Sequence, residues 1–163
     1  MTKFKTYFPD GIVPGKVIPY AHKSDWAVHE VLPFLFSQIG QFHLSIATFN
    51  ISEEALRPIF FMKERNELLS CRFLFDAILP KHKVDLMFFA SSIAQDIRTS
   101  YSHMKVMLCH NDNHCLSVVG SANMNRNPRH EAGFFSTDRD IYNFYLNYFE
   151  NIYKNDSIPF IWD

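Results

Sequence analysis

SHMKVMLCHNDNHCLSVVGSANMNRNPRHEAGFF, from Ser102 to Phe135, decides how the rest of the chain is read. Two β-rich runs, Lys105–Cys109 and Cys115–Gly120, flank the polar tip HNDNH, which is the pattern of a hairpin. With the turn at 110–114 and the pivot at 112, His103 falls opposite Ser121 and Lys105 opposite Val119. Side chains alternate along a strand, so His103 and Lys105 point the same way. Asn123 follows on the bend GSAN, beside His103. One hairpin end thus gathers an imidazole, an ammonium, a hydroxyl and an amide.

Such a set has a definite chemistry. Lysine is a point-charge binder of phosphate, and serine and asparagine donate to non-bridging oxygens. Histidine serves as nucleophile or as general acid and base. No carboxylate cluster stands nearby to hold a hard cation. The group suits an anionic tetrahedral centre, for which a phosphodiester is the natural candidate. The bland reading is a polar hairpin end on the surface.

Working outward, Ser24 or Asp25 can cap a helix to about Ile39, with Val28, Val31, Leu32, Leu35 and Ile39 as its apolar stripe. HLSIATFNI alternates as a strand over about 42–50. Ser52 caps a second helix to about Asn66, with Glu53 and Glu54 at its positive end. Leu69–Phe75 reads as a strand. Residues 80–94 fit a helix or a buried strand, and Pro80 at a first turn favours helix. Asp96–Ser100 and Glu131–Ser136 read as strands. In DRDIYNFYLNYFENIYKN the apolar residues recur at helical spacing, from Ile141 through Phe144, Tyr145, Tyr148 and Phe149 to Ile152. The opening residues 1–23, with PDGIVPGKVIPY, read as an irregular or extended arm. Strands alternating with helices predict one layered α/β domain over 1–163.

The chain of 163 residues is 47% hydrophobic and carries seventeen Phe, enough to exclude general disorder. Sixteen Lys and Arg against seventeen Asp and Glu leave net charge near zero, so charge gives no argument for nucleic acid. No apolar run approaches the ~20 residues that span a bilayer, so no membrane insertion is expected. A secretory leader pattern is lacking and the three cysteines are odd in number, which makes cytoplasm the expected compartment.

The stretch 102–135 resembles the signature of the phospholipase D superfamily, H-x-K-x4-D followed by G-S-x-N. His103-Met104-Lys105 supplies the first block, Gly120-Ser121-Ala122-Asn123 the second, and Glu131 resembles the glutamate that follows in many members. The strand and helix order from about residue 25 resembles one catalytic half of that superfamily, an α/β/α sandwich with a mixed central sheet. The resemblance implies a phosphodiesterase in which one histidine forms a covalent phosphohistidine and a second protonates the leaving oxygen, with no metal or cofactor. Lys105, Ser121 and Asn123 would bind phosphate, and Glu131 would orient a histidine. Two motifs are needed and this chain has one. The resemblance therefore implies a homodimer with a composite site, one His103 from each subunit, and a nuclease rather than a lipase on grounds of size. The departure is His110, which stands where the motif has Asp.

Arg126 and Arg129 follow the motif closely. They are candidates to hold flanking phosphates of a nucleic acid, or are a solvated loop. The tip, Cys109-His110-Asn111-Asp112-Asn113-His114-Cys115, has zinc-ligand residue types in a spacing that does not suit zinc. The same register sets Cys109 across from Cys115. The alternative to an enzyme is a fold of this kind that has lost turnover and serves as a nucleic-acid-binding or assembly module, a reading prompted by His110.

Overall fold

The computed structural model describes residues 2–161. A 3-10 turn at Thr2–Thr6 leads to β1 (Val17–Lys23), and a second at Val28–Glu30 leads to α1 (Val31–Ile39). There follow β2 (Phe42–Thr48), α2 (Glu53–Glu64), β3 (Leu68–Asp76), α3 (Leu79–His82), α4 (Val84–Ile93) and β4 (Asp96–Ser100). The remainder is β5 (Lys105–His110), β6 (Cys115–Gly120), β7 (His130–Ser136), α5 (Arg139–Asn155) and β8 (Ile158–Pro159). The strands form one sheet in the order β1-β7-β6-β5-β2-β3-β4-β8. β2, β3 and β4 run parallel to one another and the other pairings are antiparallel, so the sheet is mixed, as expected.

Alternation along the strands builds two cores. Leu44, Ile46, Phe73, Phe75, Met107, Cys109, Leu116, Val118 and Phe135 face the larger one, against α1, α2 and α4. Ala47, Leu74, Val106, Leu108 and Cys115 face the other, against Tyr142, Phe149, Ile152 and Tyr153 of α5. This is the layered α/β/α architecture, with α5 alone supplying the second helical contribution named in that core. Full burial of Phe149 is worth about 2–3 kcal/mol in docking that helix. Asp138 starts α5 by accepting from the backbone N–H of Asp140 at 2.9 Å and of Ile141 at 3.0 Å. Ser52 caps α2 in the expected way, accepting from Ala55 N–H at 3.3 Å.

Several local expectations shift. The opening arm contains a strand: Val17–Lys23 pairs with β7 over its whole length. Neither Ser24 nor Asp25 caps α1. Ser24 is in the left-handed region at φ 62°, and its hydroxyl donates to the Asn127 carbonyl at 2.8 Å. The chain turns there so that Trp26 enters the core, and α-helix begins only at Val31. The segment 80–94 is helical but broken at Lys83, whose ammonium bonds Asn50 Oδ1 at 2.7 Å and the Ile51 carbonyl at 3.0 Å. The hairpin register is one residue from that expected: Val106 faces Val119, and His110 faces Cys115.

That register settles the cysteines. Cys109 faces Leu116, not Cys115, and the two thiols lie in different cores on opposite faces of the sheet. All three thiols are buried and free, and burial pushes each above its ordinary pKa. Among the described residues no group of three or more His, Cys, Asp and Glu is arranged to hold a metal ion. No helix among them is long and apolar enough to cross a membrane.

Under the N-terminal segment, His29 is 4% exposed with Nδ1 unpartnered. Burial, reinforced by the Arg126 and Lys3 cations, holds its pKa down at about 4 against an ordinary 6.5. The neutral ring is therefore native. Between those two values the unfolded chain binds the extra proton, so stability is complete above pH 6.5 and falls as pH drops toward 4. The expected loss is about 3 kcal/mol across that window. Melting temperatures followed over the window should show it, and a His29→Gln variant should have a distinctly flatter profile. Parallel profiles would remove His29 as the cause.

Candidate active site

The candidate residues converge where β5 begins and β6 ends. His103 lies in the connection from β4 to β5, exposed, its ring packed on Phe49 with centroids 4.7 Å apart. The connection is anchored from below. Asp76, buried at the carboxyl end of β3, accepts from the Ser102 N–H at 3.1 Å, and the Ser102 hydroxyl accepts from Met104 N–H at 3.3 Å. Lys105 opens β5, and its ammonium donates to the His103 carbonyl at 2.9 Å and lies 3.2 Å from the ring Nδ1. Burial lowers the Lys105 pKa, and the negative charge of Glu131 opposes that shift. Motif lysine, imidazole and glutamate thus share one electrostatic neighbourhood.

On the facing strand, the Gly120–Asn123 bend is tied into the structure by its own side chains. Asn123 Oδ1 accepts from the Asn50 backbone N–H at 3.1 Å. That bond identifies the accepting end of the amide and leaves its Nδ2 donors without a partner among the described residues. Met124 completes the anchor: it is buried, bridges Ile51 in parallel, and accepts from Ser52 N–H at 3.0 Å. The Ser121 hydroxyl donates to Glu131 Oε2 and accepts from Ala132 N–H at 3.1 Å. Asn127 Nδ2 donates to Glu131 Oε1 at 2.9 Å. Within the chain Glu131 therefore holds Ser121 and Asn127 and does not bond His103.

Gly120 and Gly133 face each other across β6 and β7. Both must lack a side chain. A methyl on Gly133 would meet the Val119 carbonyl oxygen at 2.2 Å, and one on Gly120 would meet the Tyr20 hydroxyl at 2.4 Å. Here the motif glycine is required by close approach rather than by an unusual backbone angle.

The two arginines differ. Arg126 bonds the carboxylates of Glu30 and Glu54, the latter through Nε at 3.2 Å, and so ties the motif loop to the starts of α1 and α2. Lys3 pairs with the same Glu30. Arg129 is exposed and forms no ion pair with any described residue. His110, at the position of the motif Asp, lies at the far end of β5. A strand rises about 3.4 Å per residue, which puts it roughly 17 Å from Lys105. It stacks on His43 at 4.8 Å, and its Nδ1 lies 2.6 Å from the Tyr142 hydroxyl.

Three participants were not expected: Asp76, Asn50 and Tyr20. Asp76 ends β3 and Asn50 follows the end of β2, so both stand at carboxyl ends of parallel strands, where α/β sheets place their sites. That is a usable signal once the strands are known to be parallel. Beside the site a cavity of about 380 Å³ runs between His103, Lys105 and Gly120 on one side and Phe144, Tyr145 and Tyr148 of α5 on the other.

Comparison with known proteins follows the same lines. No family model matches the chain, and no curated protein matches it in sequence. Solved structures do match in fold. Nuc from Salmonella typhimurium, a phospholipase D family member, superposes with a TM-score of 0.65 at 16% identity, covering 89% of this chain and 97% of its own. Phosphatidylserine synthase of Haemophilus influenzae Rd KW20 gives 0.62 at 13% identity, covering 88% of this chain and 40% of that enzyme. TrmBL2, an archaeal chromatin protein, gives 0.53 at 10% identity, over 94% of this chain and 58% of that protein. The chain thus has the phospholipase D-like fold, at nearly the full length of Nuc.

Proposed function

We propose that this chain is a phosphodiesterase of the phospholipase D superfamily, nuclease-like, and active as a homodimer around one composite site. The observation that carries the reading is the convergence of His103, Lys105 and Asn123 at one end of the β5–β6 hairpin, with Asn123's oxygen held by Asn50 and its donors left without a partner among the described residues. The likeness in fold to Nuc supports it.

His103 of one subunit attacks phosphorus, and the pair of electrons in the P–O bond leaves with the departing oxygen. His103 of the second subunit protonates that oxygen. Water then attacks the phosphohistidine, passing its proton to the second imidazole, and the first histidine is released. Lys105 and Asn123 neutralise and bind the non-bridging oxygens. Ser121 is held by Glu131 and Ala132, so its contribution is to hold Glu131 in place, with a lone pair left to accept. Glu131 orients imidazole across the dimer rather than within the chain. Arg126 braces the loop, and Arg129 is the cation free to meet a neighbouring phosphate. Nucleic acid is the substrate class we assign, because a chain of this size with one motif suits a nuclease better than a lipase within the resemblance.

A composite site requires the two copies to meet beside His103. The apolar border of His103 is the face of α5 that carries Phe144 and Tyr148, 66% and 55% exposed. We assign the dimer contact to that face, where aromatics exclude water from the phosphate.

The test is hydrolysis of a chromogenic phosphodiester with excess EDTA present. Turnover should persist under chelation and release one alcohol per bond broken. Activity that chelator abolishes and added cation restores would replace this mechanism with a metal-dependent one. Binding of nucleic acid with no cleavage of any diester would favour the assembly-module reading, which the His110 departure motivates.

A further inference from the structure

The site has a second wall that the motif does not name. Tyr20 on β1 faces Gly133 on β7, and Gly133 faces Gly120 on β6. One step beyond the last paired residues, Val106 and Val119, the same row reaches Lys105, which is paired on its other side with Thr48. Residues directly opposite one another in an antiparallel ladder share a face. Tyr20 and Lys105 therefore approach one another over a strip of two glycines, one from each side.

The phenol is held firmly. Tyr20 is 5% exposed, with its ring against Trp26 at 4.8 Å and Phe135 at 5.0 Å. Its oxygen lies directly above the glycine strip, since a methyl built on Gly120 or Gly133 would come within 2.4 or 2.6 Å of it. A small cavity of about 10 Å³ is lined by both Tyr20 and Lys105, with Gly120 and Thr48 among others. That is room for about one water or one oxygen atom of a ligand. The hydroxyl makes no hydrogen bond to any described residue. It also retains access to solvent, whereas both ring nitrogens of its neighbour His22 are sealed off without partners.

A phenylalanine would fill the same apolar slot, so the hydroxyl, which reaches solvent and has no protein acceptor, is not there for packing. The polar atom needs a reason, and the glycine strip beneath it supplies a path to the site. We propose that the Tyr20 hydroxyl is a phosphate-binding group of this site, donating across Gly120 to a non-bridging oxygen that Lys105 holds from the other side. This rests on the phosphodiesterase reading and adds a substrate contact from β1 to it. Burial first, and then the negative charge of Glu131, push the phenol up to about 12, so it remains a donor throughout the working range. The facing glycines are explained together: a side chain on either one would close the gap through which the hydroxyl reaches the phosphate.

The experiment uses Tyr20→Phe and inorganic phosphate, with thermal unfolding of the full chain as the readout. Phosphate should raise the melting temperature of the wild type in a saturable manner. Tyr20→Phe should melt, without phosphate, at or above the wild-type temperature, while its phosphate affinity falls roughly tenfold. Unchanged phosphate affinity in Tyr20→Phe would overturn the proposal and leave the phosphodiesterase reading standing. A variant that loses unliganded stability along with affinity would mark the hydroxyl as structural, and would overturn it too. A wild type that neither responds to phosphate nor turns over a diester would overturn both.

Discussion

Substituting alanine for His103 should reduce diester turnover by roughly 10⁴-fold, because the group proposed to form the covalent bond to phosphorus is gone. The fold should be untouched. His103 is exposed, and its ring contact is with Phe49 at the surface. The decisive form of the experiment mixes subunits. If each site draws one imidazole from each copy, a hybrid of wild-type and His103→Ala chains is inactive. Activity of an exchanged mixture then falls as the square of the wild-type fraction. A linear fall would mean that each subunit works alone, and would end the composite-site mechanism while leaving His103 essential.

The second large effect concerns the dimer. Glutamates at Phe144 and Tyr148 together should convert the protein to monomers and remove at least about 100-fold of its activity, since uncompensated charges do not enter a desolvated interface. Both side chains are more than half exposed in the single chain. The monomer should therefore melt within a few degrees of the parent, which separates lost assembly from lost folding. Sedimentation and turnover, measured on one preparation, check it. A double variant that remains dimeric would move the contact away from α5. One that becomes monomeric yet stays active would show that a second histidine is not needed.

Most elements could be read from local pattern. The period of α5 and the cap at Ser52 are each properties of a few neighbouring residues and are present in the structure; β2 is also a strand, but it is buried on both faces rather than alternately. The failures also share a cause. Val17–Lys23 carries a proline and lies among turn residues, so nothing local marks it as a strand; its ladder is supplied by β7, more than a hundred residues later. The hairpin was recognisable, but its register was missed by one. Asn111 makes the difference: its side chain accepts from the backbone N–H groups of Asn113 and His114, at 3.1 and 2.9 Å, and sets the turn. The shift by one residue separates Cys109 from Cys115 onto opposite faces.

The site divides in the same way. Which residues are proposed to carry the chemistry could be read from the chain itself, since H-x-K and G-S-x-N are contiguous blocks that need only a hairpin to bring them together. How they are held was decided by tertiary structure alone. Asp76 under the His103 loop, Asn50 on the Asn123 amide, Glu30 and Glu54 on Arg126, and Tyr20 over the glycine strip come from distant strands and helix starts. Reactive groups must occur as particular residue types close in sequence to share one hairpin end, and so leave a pattern. Supporting groups need only reach a given point in space, which many positions in a folded sheet can do, and so leave none.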